Sequence, residues 1–181
     1  YEDTLPRALN EEAARQGKRV RVHIKIDTGL RRFGVQPGEQ LAHLIETLQG
    51  LPYLEIDGVY THLANGYSLD KSFTHQQMGL FTQALEQLKA VGLRPRLIHA
   101  ANTAACVASP ECYYDVGRLA ALIFGYDISP GIPNRLGLES SMRWTSKILN
   151  VLWAEEGENV SYYRFFVPKR RTKIAIIGFG M

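Results

Sequence analysis

The stretch HIKIDTGLRRFG (residues 23–34) sets Lys25 and Asp27 in an apolar, strand-like run. It closes with a Thr-Gly turn and places Arg31 and Arg32 side by side. Polar residues end three later apolar runs in the same way: Thr61 and His62 in GVYTHLA, His99, Asn102 and Thr103 in HAANTAA, and Arg118 in DVGRLAALIFG. Each has an ordinary reading when taken singly. A histidine at a strand end is more often a satisfied core residue than a catalyst, Thr103 suits a helix N-cap, and Arg118 suits a surface ion pair. The joint pattern carries more weight, because every run delivers a polar group at the same end. In parallel α/β folds that end is where ligands gather. A hydroxyl at a helix start suits phosphate, and two arginines supply donors that keep their protons. Together these groups suit an anionic, planar ligand. There is no phosphate-binding glycine loop, Ser-His-Asp order or metal-spaced histidine pair to compete with that reading.

The elements that must position these groups follow a regular beat. Residues 9–16 read as the end of an amphipathic helix stopped by Gly17. Strands are expected over residues 20–27, 54–63 and 95–102, with a fourth in 113–125. Helices are expected over 37–48 and 71–92, with a short one in TAACVA. Phe73, Met78, Phe81, Leu85 and Leu88 recur at helical spacing and read as core. The strand-helix-strand recurrence is the signature of parallel βαβ units. The strands read as apolar on both faces, as where helices cover a sheet. A piece of a (β/α) barrel and an open doubly wound sheet both fit, though no GxGxxG follows the first strand. After Gly125 the pattern becomes a turn-rich linker, DISPGIPNRLGLES. A β-rich module of about three antiparallel strands follows, starting near Ser140.

Composition bounds the rest. The chain has 181 residues, 45% hydrophobic and 22% charged, with a net charge of +3. These values suit one globular domain with a sizeable core and argue against nucleic acid as a partner. Two cysteines without metal-ligand spacing suggest a reducing compartment and no zinc site. The chain does not start with Met and reads as if cut from something longer.

The four motifs HIKIDTGLRRFGV, GVYTHLA, HAANTAA and DVGRLAALIFG, in this order, resemble the successive strand motifs of the alanine racemase family. ENVSYYRFF and KIAIIGFG resemble the start of that family's C-terminal β domain. The resemblance implies a partial (β/α)8 TIM-type barrel over residues 1–130 that binds pyridoxal 5′-phosphate (PLP). Residues 131–181 would be a linker and an incomplete antiparallel β domain. It implies a racemase acting on alanine, or on serine, that supplies D-amino acids to peptidoglycan, as a homodimer. The wording of THLA and VSY also resembles the alanine/serine racemase domains of vancomycin-resistance membrane proteins. A cytoplasmic enzyme and the cytoplasmic domain of a membrane protein are therefore both implied.

Residue by residue, Lys25 matches a lysine that is carbamylated in many members, and Arg32 the arginine which that carbamate orients toward the cofactor. His62 and Arg118 match the pair under the pyridine ring, with the arginine at the ring nitrogen. Thr103, with Asn102 beside it, matches a phosphate-binding residue, and the backbone N–H groups of Ala120 and Ala121 fall where the family also holds phosphate. Arg31 stands where the family often has Gly. The Schiff-base lysine and the catalytic tyrosine have no match, so the 181 residues alone are expected to be inactive. Arg118-Leu119-Ala120-Ala121 replaces the family's Arg-Pro-Gly-Ile, which adds a Cβ near the phosphate. The alternatives are a non-catalytic PLP-binding protein of the same barrel fold and a phosphate-ligand barrel enzyme.

Overall fold

A computed structural model describes residues 4–126 and 136–180. Of the linker expected over residues 127–140, residues 127–135 lie outside them, as does Met181. The chain divides into two compact units, Tyr1–Ser141 and Met142–Met181.

In the first unit α1 (Thr4–Arg15) ends where Gly17 takes a φ of 63°. This left-handed turn lets Lys18 N donate to Ala13 O. Three strands follow, β1 (Val20–Lys25), β2 (Leu54–Tyr60) and β3 (Leu97–His99), parallel and in that order. They are linked by α2 (Glu39–Gln49) and α3 (Ser72–Ala90). Ile24, Ile26 and Val59 from the sheet pack with Leu41, Ile45 and Leu48 of α2 and Phe81, Ala84 and Leu88 of α3. Each such side chain stabilises the fold by about 1.5–3 kcal/mol on leaving water. Met78 and Leu85 pack against this core, whereas Phe73 is half exposed, its ring tip against Gly29.

The expectation of strands apolar on both faces is corrected. Lys25, Tyr60 and His99 stand in one register row across β1, β2 and β3. They share the face opposite the helix-packed one, because side chains alternate along a strand. Only the helix-facing side is an apolar surface. The other is the inner wall of a barrel segment and carries a polar layer.

The expected fourth strand is also corrected. Residues 115–118 run beside β3, with Asp115 N donating to Ile98 O and Arg118 N to Ala101 O. The pairing reduces to a single parallel bridge, Asn102 to Arg118. A 3-10 turn, Ala121–Phe124, follows at once. The helix α4 (Thr103–Ala108) forms where TAACVA predicts it.

After β1 the chain doubles back on itself. Val35 N donates to Lys25 O at 3.0 Å and Asp27 N to Val35 O at 2.8 Å. Gly34 makes this close return with φ of 113°, and a Cβ there would stand 2.7 Å from Lys25 O and 3.0 Å from Asp27 N. Arg31 takes a φ of 56°, which accounts for glycine being common in the family at that place.

The second unit is a hairpin of β4 (Ile148–Ala154) and β5 (Thr172–Ile177), antiparallel. The strand expected in ENVSYYRFF is replaced by a lone bridge, Val160 to Phe166, and a 3-10 turn at Tyr162–Arg164. Positive φ at Ser161, Tyr163 and Arg164 is incompatible with an extended strand.

Replacing Gly34 by Ala combines positive φ with a backbone clash and is expected to cost about 2 kcal/mol or more. Gly17→Ala meets nothing within 4 Å and should cost only about 1 kcal/mol, from its φ alone. Urea denaturation of the two variants checks the difference; equal losses would contradict the close return at Gly34.

Candidate functional site

The site is the C-terminal edge of the three strands, where each ends in polar residues that the next segment ties down. Beyond β1, Asp27 is buried, and its Oδ1 accepts from Gly29 N at 3.0 Å and Arg31 N at 3.1 Å. Burial raises its pKa, but those two N–H groups and the charges of Arg31 and Lys25 outweigh this and hold it below the usual range. Arg31 also pairs with it at 3.6 Å through its NH1.

A buried polar chain joins the ends of β1 and β2. Thr61 Oγ1 donates to Ile26 O at 3.0 Å and so must accept from Thr28 Oγ1 at 2.7 Å. Thr28 in turn accepts from Gln77 Nε2 at 3.1 Å. Gln77, on α3, is fully buried, and its Oε1 accepts from Ala64 N at 2.9 Å. One carboxamide thus clamps the segment that carries His62 against the strand ends.

Arg118 lies at the centre. Its NH1 donates to His99 Nδ1 at 2.7 Å, and its NH2 donates to Thr61 O at 2.8 Å and Ala100 O at 3.1 Å. Among the described residues no carboxylate pairs with it. Burial lowers its pKa, opposed by Tyr60 and Cys106, yet a guanidinium remains protonated at any ordinary pH. The donors it has left are Nε–H and one N–H of NH1. Tyr60 stacks on His99 with ring centres 4.8 Å apart, and the guanidinium carbon of Arg118 lies 5.3 Å from the Tyr60 ring centre.

Electrostatics gathers Lys25, Arg32, His62 and Arg118 at one place. The pKa of Lys25 is lowered first by burial and then by Arg32 and Arg118, with Asp27 opposing. Its Nζ donates to Phe33 O. His62 is held neutral by burial and by Arg118, Arg32 and Lys25. Three cations therefore face one region, and Asp27 acts on Lys25 against the other two. His99 is pushed down to about 4 by burial, Arg118 and His23, with Asp115 opposing.

The phosphate-type contacts are arranged more tightly than the sequence suggests. Asn102 is the N-cap of α4: its Oδ1 accepts from Ala105 N at 3.2 Å, and its Nδ2 donates to Leu63 O at 2.8 Å. Both ends of this amide are thus engaged in holding the strand end. Gly66 closes over it, since a Cβ there would lie 3.2 Å from Asn102 Oδ1. Thr103 Oγ1 accepts from Ala120 N at 2.9 Å, which leaves the hydroxyl proton to donate. Ala121 opens the 3-10 turn, where backbone N–H groups lack partners within the turn.

The structure thus brings Lys25, Arg32, His62 and Arg118 into one charged cluster and joins Thr103 to Ala120. Asn102 serves the scaffold. Sequence reasoning missed Tyr60, His23 and Gln77. Tyr60 and His23 each stand two residues before a polar residue that was singled out, on the same strand face, and period two is the signal that would have found them. Gln77 gives no such signal, since it lies among apolar helix positions.

The family described as "Alanine racemase, N-terminal domain" matches residues 2–128. An alanine racemase from Symbiobacterium thermophilum is 36% identical over 180 residues, 99% of this chain and 48% of that protein. An alanine racemase 2 from Clostridium acetobutylicum is 36% identical over 180 residues, 98% of this chain and 45% of that protein. Among solved structures, alanine racemase from Clostridium difficile superposes with a TM-score of 0.80 at 29% identity, covering 97% of this chain and 46% of that one. The chain spans about half the length of the curated relatives it matches.

The depressed pKa of His99 fixes a sign. The unfolded chain takes up a proton near pH 6.5, the folded chain only near 4. Stability from this group is fully present above pH 6.5 and is lost as pH falls toward 4. Thermal melts from pH 7.5 to 4.5 should show a falling Tm. His99→Asn should make that fall shallower, while the His62 contribution remains.

Proposed function

The chain belongs to the alanine racemase family, and on that premise we propose that its strand-end face holds pyridoxal 5′-phosphate in a whole protein that racemises alanine. The observation that supports this reading best is Arg118. It is a half-buried guanidinium with donors to spare and no carboxylate partner among the described residues, set beside neutral His62. Its remaining N–H groups have no acceptor among the described residues, and the pyridine nitrogen is one that a fixed cation can hold without giving up its proton. The excess of positive charge from Lys25, Arg32 and Arg118 suits an anionic ligand. The Thr103 hydroxyl and Ala121 N–H suit its phosphate.

When bound, PLP supplies an electron sink that acidifies Cα of an amino acid. The remaining work falls to side chains. Arg118 holds its own proton at the ring nitrogen, which disfavours protonation there and so limits the sink. His62 stays neutral beside it, and Thr103 and Ala121 fix the phosphate end. Exchange of a proton at Cα needs one base on each face; we assign both bases to the whole protein. Serine as a second substrate, a homodimer and a role in peptidoglycan supply rest on the resemblance. No helix of the described residues is long and apolar enough to cross a membrane.

Lys25 supports a further part of the reading. Its lowered pKa leaves more neutral amine to attack carbon dioxide. A C–N bond forms, the nitrogen loses a proton to water, and a carboxylate results. That anion would pair with Arg32, where a bare lysine repels it.

Three measurements check these claims. In the whole protein, Arg118→Met should lower alanine racemisation, read by chiral chromatography, by about 100-fold or more. Thr103→Val should weaken PLP binding about tenfold. Full activity in Arg118→Met would sink the reading. With 13C-bicarbonate, a carbamate signal should appear and be absent in Lys25→Ala; no signal in the parent chain removes the carbamate from the account.

A further inference from the structure

Arg118 is the near end of a longer chain of polar groups that crosses the sheet. His99 Nε2 lies 2.9 Å from His23 Nδ1. His23 Nε2 lies 3.8 Å from Asp57 Oδ2. Asp57 is held by Arg96, whose Nε donates to Oδ1 and whose NH2 donates to Oδ2, each at 2.8 Å. The chain therefore runs from a guanidinium at the ligand end of β3, by way of β1, to an ion pair between Asp57 of β2 and Arg96, which directly precedes β3.

The proton positions follow from Arg118 alone. Its NH1 can only donate, so His99 Nδ1 must be bare. A neutral His99 then carries its proton on Nε2 and donates it to His23 Nδ1. That nitrogen must also be bare, which puts the His23 proton on Nε2, facing the Asp57 carboxylate. A second proton on His23 would sit on Nδ1, facing the His99 proton. His99 could relieve this only by moving its own proton onto Nδ1, against the Arg118 donor. The charged and titratable groups around the two rings are Arg118, Asp115 and Tyr60 at His99, and Asp57, with Arg96 and Arg21 acting on it, at His23.

The backbone makes room for this arrangement. The β1–β2 register slips between Val22 and His23, placing His23 opposite Gly58. A Cβ at position 58 would stand 2.5 Å from the His23 ring. Asp57 is the extra residue of this bulge in β2, and the His23 ring is fitted closely over Gly58 beside it.

We propose that His23 is a positioning residue: seated over Gly58, with the Asp57 carboxylate 3.8 Å from its Nε2, it fixes the His99 ring and so holds the Arg118 guanidinium in its ligand-facing orientation. This deepens the cofactor reading and rests on Arg118 facing a ligand. The alignment of the four groups, however, can be judged without any ligand.

Nitrogen-15 spectra of the full chain at pH 7.5, with nothing added, should show both rings neutral and protonated on Nε2. The Arg118 Nη–H signal, from the N–H groups that donate to His99, Thr61 and Ala100, should be sharp and slow to exchange. His23→Leu removes the acceptor and should broaden that signal and weaken PLP binding about tenfold. Gly58→Ala, which removes no polar group, should do the same by displacing the ring. His23→Asn keeps a side-chain acceptor and should recover part of both. Leu88→Ala serves as a destabilised control, with the Arg118 signal kept sharp. A proton on Nδ1 of His99 would overturn the proposal whether or not any variant folds. So would an Arg118 signal unchanged in both His23→Leu and Gly58→Ala. If the parent chain binds no PLP, the cofactor reading falls, and the ring and guanidinium signals alone decide the role of His23.

Discussion

A guanidinium taken half out of water with no carboxylate beside it must be held by neutral acceptors, and Arg118 is held that way. Carbonyls of Thr61 and Ala100 and the bare nitrogen of His99 satisfy three of its donors. Those acceptors sit on different strand ends, so the cation is fixed only if the ends are fixed. The buried chain from Gln77 through Thr28 and Thr61 to Ile26 does this for β1 and β2. Asn102 does it for β3, capping α4 while gripping Leu63 O. Buried polar groups of this kind are costly unless satisfied, and here each makes its bonds with a defined donor.

The same constraint explains the charge balance. Lys25, Arg32 and Arg118 face one another across the strand ends, and burial, with their repulsion added to it, lowers the pKa values of Lys25 and His62. A fold left to itself would avoid that arrangement. It is sensible where an anion completes it. A carbamate on Lys25 and a bound phosphate are two chemically different ways of supplying the missing negative charge, and both agree with the groups present. Asp27 alone does not supply it, because its carboxylate is already committed to Gly29, Arg31 and the turn it closes.

Much of this was legible in the sequence. The βαβ beat follows from alternating apolar periods, and the family resemblance rests on four motifs in order. His62, Thr103 and Arg118 were singled out because polar residues ended apolar runs, and Lys25 because it put a charge inside one. The parts that were not legible depend on contacts between distant segments. The stretch around Arg118 reads as a strand, yet pairing with β3 shrinks to one bridge because the 3-10 turn at Ala121 begins too soon. SYYRFF alternates like a strand, yet three residues there take positive φ. Asn102 looks like a ligand because it adjoins Thr103, and only the neighbouring loop reveals its use as a cap. His23 reads as one more strand residue until the register slip opposite Gly58 is known.

The central claim is that one face, centred on Arg118 and Thr103, receives PLP. Amide and side-chain nitrogen shifts followed while PLP is added to the chain test it most directly. The account predicts saturable changes at Arg118, Thr103 and Ala121, with His62 and Lys25 affected. Shifts confined to other surfaces, or none at Arg118 and Ala121 at saturating PLP, would contradict it.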